Sequence, residues 1–305
     1  MGMKNDKSFE LAHRLKRAEE FNGGGKTLHA IQMYQAIIND FTDDPTAWYK
    51  LIDIYDKMGR RDSAITLLEE MNEAFTNENE VRLFTGHFYF KHQMWEDSLR
   101  TLKGFDMSFD NIALFICGIA FFNIGEYAEA AENLRKFIDN EPDSAFIGEA
   151  HLYIGRSRLA LGELNLAVSY LTRGAVLMPT NPDIYQYLAV YYYKVKMYAH
   201  AAENIETALK MGADSKEAFE LALEIFLAAG AEAKAEKLCR SYIAEREPSS
   251  KIYTGLAQIL LKKNLYKESE GYLQTAIKLD PLNLGAQKLL KELTERRDND
   301  LVKNL

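Results

Sequence analysis

Cysteine and proline are both scarce in this chain. Its 305 residues include only two cysteines, Cys117 and Cys239, and neither falls in a CxxC or Cys/His spacing. That argues against a zinc site of the usual kind. Two isolated thiols at apolar helical positions read as buried and reduced. Six prolines leave room for long uninterrupted helices. No apolar run reaches the length of about 18 residues that a membrane-spanning helix needs. Positive charge is short as well: 37 Lys and Arg stand against 45 Asp and Glu, a formal net charge of -8. Binding to nucleic acid or to an anionic membrane draws on Lys and Arg, so neither is expected. The opening stretch MGMKNDKSFELAHRL lacks the apolar core of a secretory signal. Asp6 stands where a myristoylation signal wants Ser or Thr. The expected location is therefore the cytoplasm, or the periplasm if a leader has been removed.

What the chain has is a repeat. Segments with an apolar first helix, a glycine stop and a second helix begin at residues 11, 45, 79, 111, 148, 182, 216 and 250. Most of these starts lie 34 residues apart, and the exceptions are 32 and 37. Within each first helix the fourth, seventh, eighth and eleventh positions share one face. In the second repeat these are Trp48, Leu51, Ile52 and Tyr55, and in the fourth Leu114, Cys117, Gly118 and Phe121. The eighth position is often small, as at Gly86, Gly118, Gly155 and Ala189, and so is the twentieth, as at Ala64, Ser98, Ala130 and Ala167. Small residues at both positions let the paired helices approach closely. The twenty-fourth position is large in nearly every copy, and the fifteenth is Gly in five, with Asn264 in the eighth. Gly and Asn tolerate the left-handed conformation that ends a helix.

The pattern resembles the tetratricopeptide repeat family over residues 11 to 297. The fold implied is all-α, a right-handed α-solenoid of about eight helical hairpins with a C-terminal capping helix. Residues 1–10 read as an N-terminal tail, 11–283 as the eight-repeat solenoid, 284–297 as the capping helix and 298–305 as a frayed tail. Gln93 and Lys196 depart from the turn glycine. The third repeat is two residues short around GFDMSFDN, and the fourth is three long around DSAFIGEA. The fifth carries Arg158 and Gly174 where its neighbours have larger apolar residues, which marks it as a local weak point.

Candidate chemistry is thin. GGGKT at 23–27 has Glu20 where a phosphate-binding loop needs Gly, so it reads as the first hairpin turn. His87 and His92 fall on different faces of a helix, and the other histidines are scattered. No catalytic set, cofactor site or metal site is expected, and the chain reads as non-enzymatic.

The resemblance places ligand contacts at the second, fifth, ninth, twelfth and thirteenth positions of the first helices, on a concave surface. In the second and third repeats these positions supply Tyr49, Leu83 and Phe90. The fourth supplies Phe115, Ile119 and Phe122. The fifth supplies Leu152 and Arg156, and the sixth Val190 and Tyr193. The middle repeats are apolar there, whereas the ends are polar, with Asp53, Asp56 and Lys57 on one side and Glu217, Glu220 and Glu224 on the other. Two readings stand side by side: an apolar recognition groove, or packing against adjacent first helices. The Lys and Asn clamp of heat-shock cochaperones is not matched by Tyr49, Asp53 and Lys57 followed by Leu83, His87 and Lys91. The expected function is a protein-interaction scaffold or assembly factor holding an apolar peptide or helix of a protein partner. The alternatives are a self-associating structural solenoid and an accessory of a bacterial envelope assembly or secretion system.

Overall fold

The structure is a computed structural model. It describes residues 2–76 and 78–303, with side chains described for 7–76 and 78–295. Among the described residues there are seventeen α-helices and no strand. They form two compact units, residues 1–142 and 143–305. The first unit contains α1 (Gly2–Gly23), α2 (Thr27–Asp40), α3 (Thr46–Lys57), α4 (Arg61–Ala74), α5 (Asn79–Lys91), α6 (Trp95–Leu102), α7 (Ile112–Asn123) and α8 (Tyr127–Asn140). The second contains α9 (Ile147–Ala160), α10 (Leu164–Leu177), α11 (Pro182–Lys194), α12 (Tyr198–Lys210), α13 (Lys216–Ala228), α14 (Glu232–Glu245), α15 (Ser250–Lys262), α16 (Tyr266–Leu279) and α17 (Leu284–Lys303). Consecutive helices pack together within each unit, and α5 with α7, α9 with α11 and α13 with α15 are first helices in direct contact.

The hairpin turns follow from one hydrogen-bond pattern. Gly59 has φ of 72°, and Arg60 N donates to Tyr55 O at 2.9 Å, closing the end of α3 with the six-to-one bond of a Schellman motif. Gln93, Lys196 and Asn264 take up the same left-handed conformation, with φ of 59°, 62° and 62°. Met94 N, Met197 N and Leu265 N then donate to Tyr89 O, Tyr192 O and Leu260 O. The turn survives at all three positions because its hydrogen bonds are unchanged; what the non-glycine residues add is steric strain. GGGKT makes the first of these turns, with Gly25 at φ 76° and Lys26 N donating to Phe21 O.

Where the eighth position is glycine, it meets the large twenty-fourth of the same hairpin. A Cβ on Gly118 would lie 2.5 Å from Leu134 Cγ, one on Gly155 2.6 Å from Leu171 Cγ, and one on Gly86 2.7 Å from Leu102 Cγ. Where the twentieth position is serine, its buried hydroxyl is satisfied across the same contact. Ser98 Oγ donates to Gly86 O and Ser269 Oγ to Ala257 O, each at 2.9 Å. A buried hydroxyl left without a partner would cost stability.

The irregular repeats have local causes. In the third, α6 is only eight residues long. The Arg82 guanidinium donates to the carbonyls of Thr101, Lys103 and Gly104, ending the helix early and satisfying carbonyls that otherwise lack partners. The three additional residues of the fourth repeat lie in the loop between α8 and α9, where Phe146 N donates to Ser144 Oγ and the two units divide. In the fifth, Arg158 Nη1 pairs with Glu163 Oε2 at 2.6 Å. Gly174 is enclosed by Ile184, Gly148 and His151, and a Cβ there would come no closer than 3.4 Å to any of them. Gly174→Ala is therefore expected to stabilise the chain by roughly 0.5–1 kcal/mol, the helix-propensity difference. A urea midpoint at or below that of the unmodified chain would show that the space is not there.

Two boundaries differ from the sequence reading. Residues 2–10, set aside as a tail, belong to α1, and α17 continues past residue 297 to Lys303. Helical hydrogen bonding carries on through these polar stretches because no glycine or proline interrupts it after Gly2 or Gly285. Residues 304 and 305 lie outside the described residues. α17 packs Ala286 and Leu293 with Ala257, Leu261 and Leu273. Asn283 caps its start, Oδ1 accepting from Ala286 N, while Asn283 Nδ2 donates to Ser250 and Thr254 of α15.

Candidate functional site on the first helices

The ten residues that the sequence reading put forward fall in both units. Tyr49, Leu83, Phe90, Phe115, Ile119 and Phe122 belong to the first unit, and Leu152, Arg156, Val190 and Tyr193 to the second. Phe115, Ile119 and Leu152 are 5%, 3% and 3% exposed. They are packing residues, and the expectation that they line an open groove is corrected here. The physical reason is that a fifth or ninth position is free only where neighbouring helices leave a gap. The Phe115 ring lies 5.2 Å from that of Phe137, and Leu152 joins Leu159, Leu171, Ile184 and Leu188 in one core.

The other seven are half-buried. Leu83 and Phe90 rest on the core around Leu102, Phe105 and Ile116, and Phe122 sits 5.4 Å from the ring of Tyr127. The Tyr49 ring lies 4.4 Å from that of Phe84, tilted by 40°; burial first, and then Glu80, Glu78 and Asp44, push its hydroxyl up to about 12. Val190 packs beside the core of Leu152 and Leu188. The Arg156 guanidinium lies 4.7 Å from the centres of both the Tyr153 and Tyr187 rings, a cation–π sandwich. The Tyr193 hydroxyl donates to Glu224 Oε1 at 2.6 Å, a bond that, with burial, pushes the phenol up to about 12.

The polar ends behave unequally. In the first unit Asp56 is enclosed, receiving Lys91 Nζ and His92 Nε2 at 2.7 Å each. Burial alone would raise its carboxyl, but the bonds and charges of Lys91 and His92 prevail and hold it below the usual value. In the second unit the acidic end borders a groove of 430 Å³ between α13 and α15. Seven of the residues lining it occupy contact positions: Glu217, Glu220, Glu224 and Leu227 from α13, and Lys251, Thr254 and Gln258 from α15. Leu221, Leu223, Gly255 and Asn283 complete it.

Within this lining Gly255 faces Leu223, whose Cδ2 would be 2.4 Å from a Cβ at that position, so the missing side chain lets α13 and α15 approach. Leu223 is large where most eighth positions are small, and Gly255 accommodates it from the following repeat. The sequence reading noted the three glutamates and overlooked Leu221, Leu223, Gly255 and Asn283. The available signal was Gly255, a glycine at a sixth position where the other repeats carry Lys, Phe, Ile, Tyr or Leu.

Among the described residues no three His, Cys, Asp or Glu side chains gather to hold a metal ion. No helix among them is long and apolar enough to cross a membrane.

Profiles of the tetratricopeptide repeat match residues 24–103, 117–182, 188–250 and 250–281. The chain belongs to the tetratricopeptide repeat family. Anaphase-promoting complex subunit CDC16 of Saccharomyces cerevisiae is similar to this tetratricopeptide repeat chain at 25% identity over 151 residues, which are 47% of this chain and 18% of the yeast protein. Among solved structures, the APC/C hetero-tetramer Cut9–Hcn1 superposes with a TM-score of 0.55 at 14% identity, over 92% of this chain and 55% of that one. A variant of MamA superposes with a TM-score of 0.50 at 16% identity, over 57% of this chain and 100% of its own. At these identities the structural likenesses establish the tetratricopeptide fold. The chain thus matches little more than half the length of the first of these structures and under a fifth of the curated relative. Tetratricopeptide repeat proteins bind protein partners.

Proposed function

We propose that the chain is a non-enzymatic scaffold that holds a segment of a partner protein on the first-helix face of its second unit. The observation that carries this reading is the groove between α13 and α15, lined from both helices by residues at the family's contact positions. Half-buried Val190 and Tyr193 extend the same face onto α11. The partner segment envisaged from the sequence was apolar and centred on the middle repeats. With Phe115, Ile119 and Leu152 buried, the proposed docking surface moves toward the seventh and eighth repeats. The yeast relative is a subunit of a multi-protein complex by name, and membership of an assembly is the corresponding role proposed here.

Site-specific photocrosslinking tests this. A benzophenone side chain at Gln258 is expected to yield discrete protein adducts in cells that carry the native chain. The same group at exposed Lys237 on α14 is expected to yield none. Adducts from Lys237 with nothing from Gln258 would move the docking face to the second helices.

A further inference from the structure

We infer that the groove between α13 and α15 accepts a lysine or arginine side chain of the partner segment, with apolar residues flanking it. This rests on the reading of that face as the docking surface, and it adds the chemistry of the occupant. Glu217, Glu220 and Glu224 are spaced three and four residues apart on α13, so they share one face of the helix. They are unevenly compensated. Glu220 accepts from Ser249 Oγ at 2.7 Å and lies 3.1 Å from Lys251 Nζ. Glu224 accepts from a neutral phenol, that of Tyr193. Glu217 makes no hydrogen bond or ion pair among the described residues. Three carboxylates therefore face one ammonium group, that of Lys251, whose side chain is 75% exposed.

The outer helices of the same unit show the contrast. Lys234 pairs with Glu206, and Arg240 with Glu236 and Glu268, while Lys262 and Lys263 at the end of α15 reach out to Glu232 and Glu236. Those carboxylates meet cations of the chain itself, whereas along the groove Glu224 meets only a phenol and Glu217 is left for a cation from outside.

The groove also selects what kind of cation. Its carboxylates are too dispersed to gather as metal ligands. Leu221, Leu223 and Leu227 supply an apolar wall, and Gly255 contributes no side chain. A long basic residue suits such a lining, because its methylene stem lies on apolar surface while its head stays among polar groups. The volume of 430 Å³ falls within the range of about 300–1,000 Å³ typical of ligand pockets.

The test uses four fluorescent twelve-residue peptides that differ only at a central position flanked by leucines: lysine, arginine, glutamine or glutamate. Affinities are read by anisotropy on the full chain. The lysine and arginine peptides are expected to bind at least about tenfold more tightly than the others, in keeping with a charge-assisted contact, and to weaken as salt rises. The triple variant Glu217→Gln, Glu220→Gln, Glu224→Gln is expected to lose that preference. Glu69→Gln, Glu70→Gln, Glu73→Gln on α4 changes net charge equally and is expected to keep it. Should the groove triple variant melt early, Glu217→Gln alone is expected to cost several-fold, since that carboxylate makes no bond within the fold. Equal affinity for the glutamate peptide, or an undiminished preference in the groove variants, overturns the inference. Continued crosslinking from Gln258 alongside that result would leave the docking face standing and remove only its selectivity for cations.

Discussion

Replacing Phe115 by alanine is expected to destabilise the chain by about 3–5 kcal/mol, the usual cost of emptying a buried aromatic site. Phe115 is 5% exposed and lies against Phe137, so its removal opens a cavity between α7 and α8. The expected signature is a lower urea midpoint, with partner affinity per folded molecule unchanged. Phe122, half-buried beside Tyr127, should cost less when replaced in the same way. Equal stability of the Phe115→Ala and unmodified chains, together with lost binding, would restore Phe115 to the docking surface and reverse its assignment to the core.

Ala130→Leu is expected to destabilise the chain as well, by a smaller amount and for the opposite reason. Ala130 is fully buried, and its carbonyl oxygen lies 3.3 Å from the place a Cβ on Gly118 would occupy. Leu134 already fills the rest of that contact. Additional methylenes must push α7 and α8 apart, at a cost of about 1–3 kcal/mol. Because each hairpin is stabilised by its neighbours, hydrogen exchange should accelerate in α7 and in α5, which packs against it. A midpoint equal to that of the unmodified chain would mean that the close contact between the eighth and twentieth positions is absent.

These two substitutions mark the difference between local and tertiary information. The small residues at 118 and 130 were readable as a close contact because both recur at fixed places in a repeat, and helical periodicity puts each on the inward face. Their nearest partner, the large twenty-fourth residue, was visible for the same reason. Position five of a first helix carries no such guarantee. Phe115 and Leu83 occupy it in neighbouring repeats, yet one is buried and the other half-exposed. The outcome depends on the bulk of residues in other helices, which follows no period.

The sequence by itself determined the helical hairpins, their turns and their order. Each of these depends on residues within one repeat: a left-handed position fifteen, an apolar stripe, a small eighth residue. Even Gln93 and Lys196 could not abolish the turns, since the backbone bonds outweigh the strain of one residue. Tertiary structure alone decided which contact positions remain open. Asp56 was closed by Lys91 and His92, more than thirty residues further on. The groove at Glu217, Glu220 and Glu224 takes its other wall from Lys251, Thr254 and Gln258 in the following repeat, with Gly255 yielding to Leu223 between them. An accessible surface is set by what packs beside it, and what packs beside it is chosen by the whole stack.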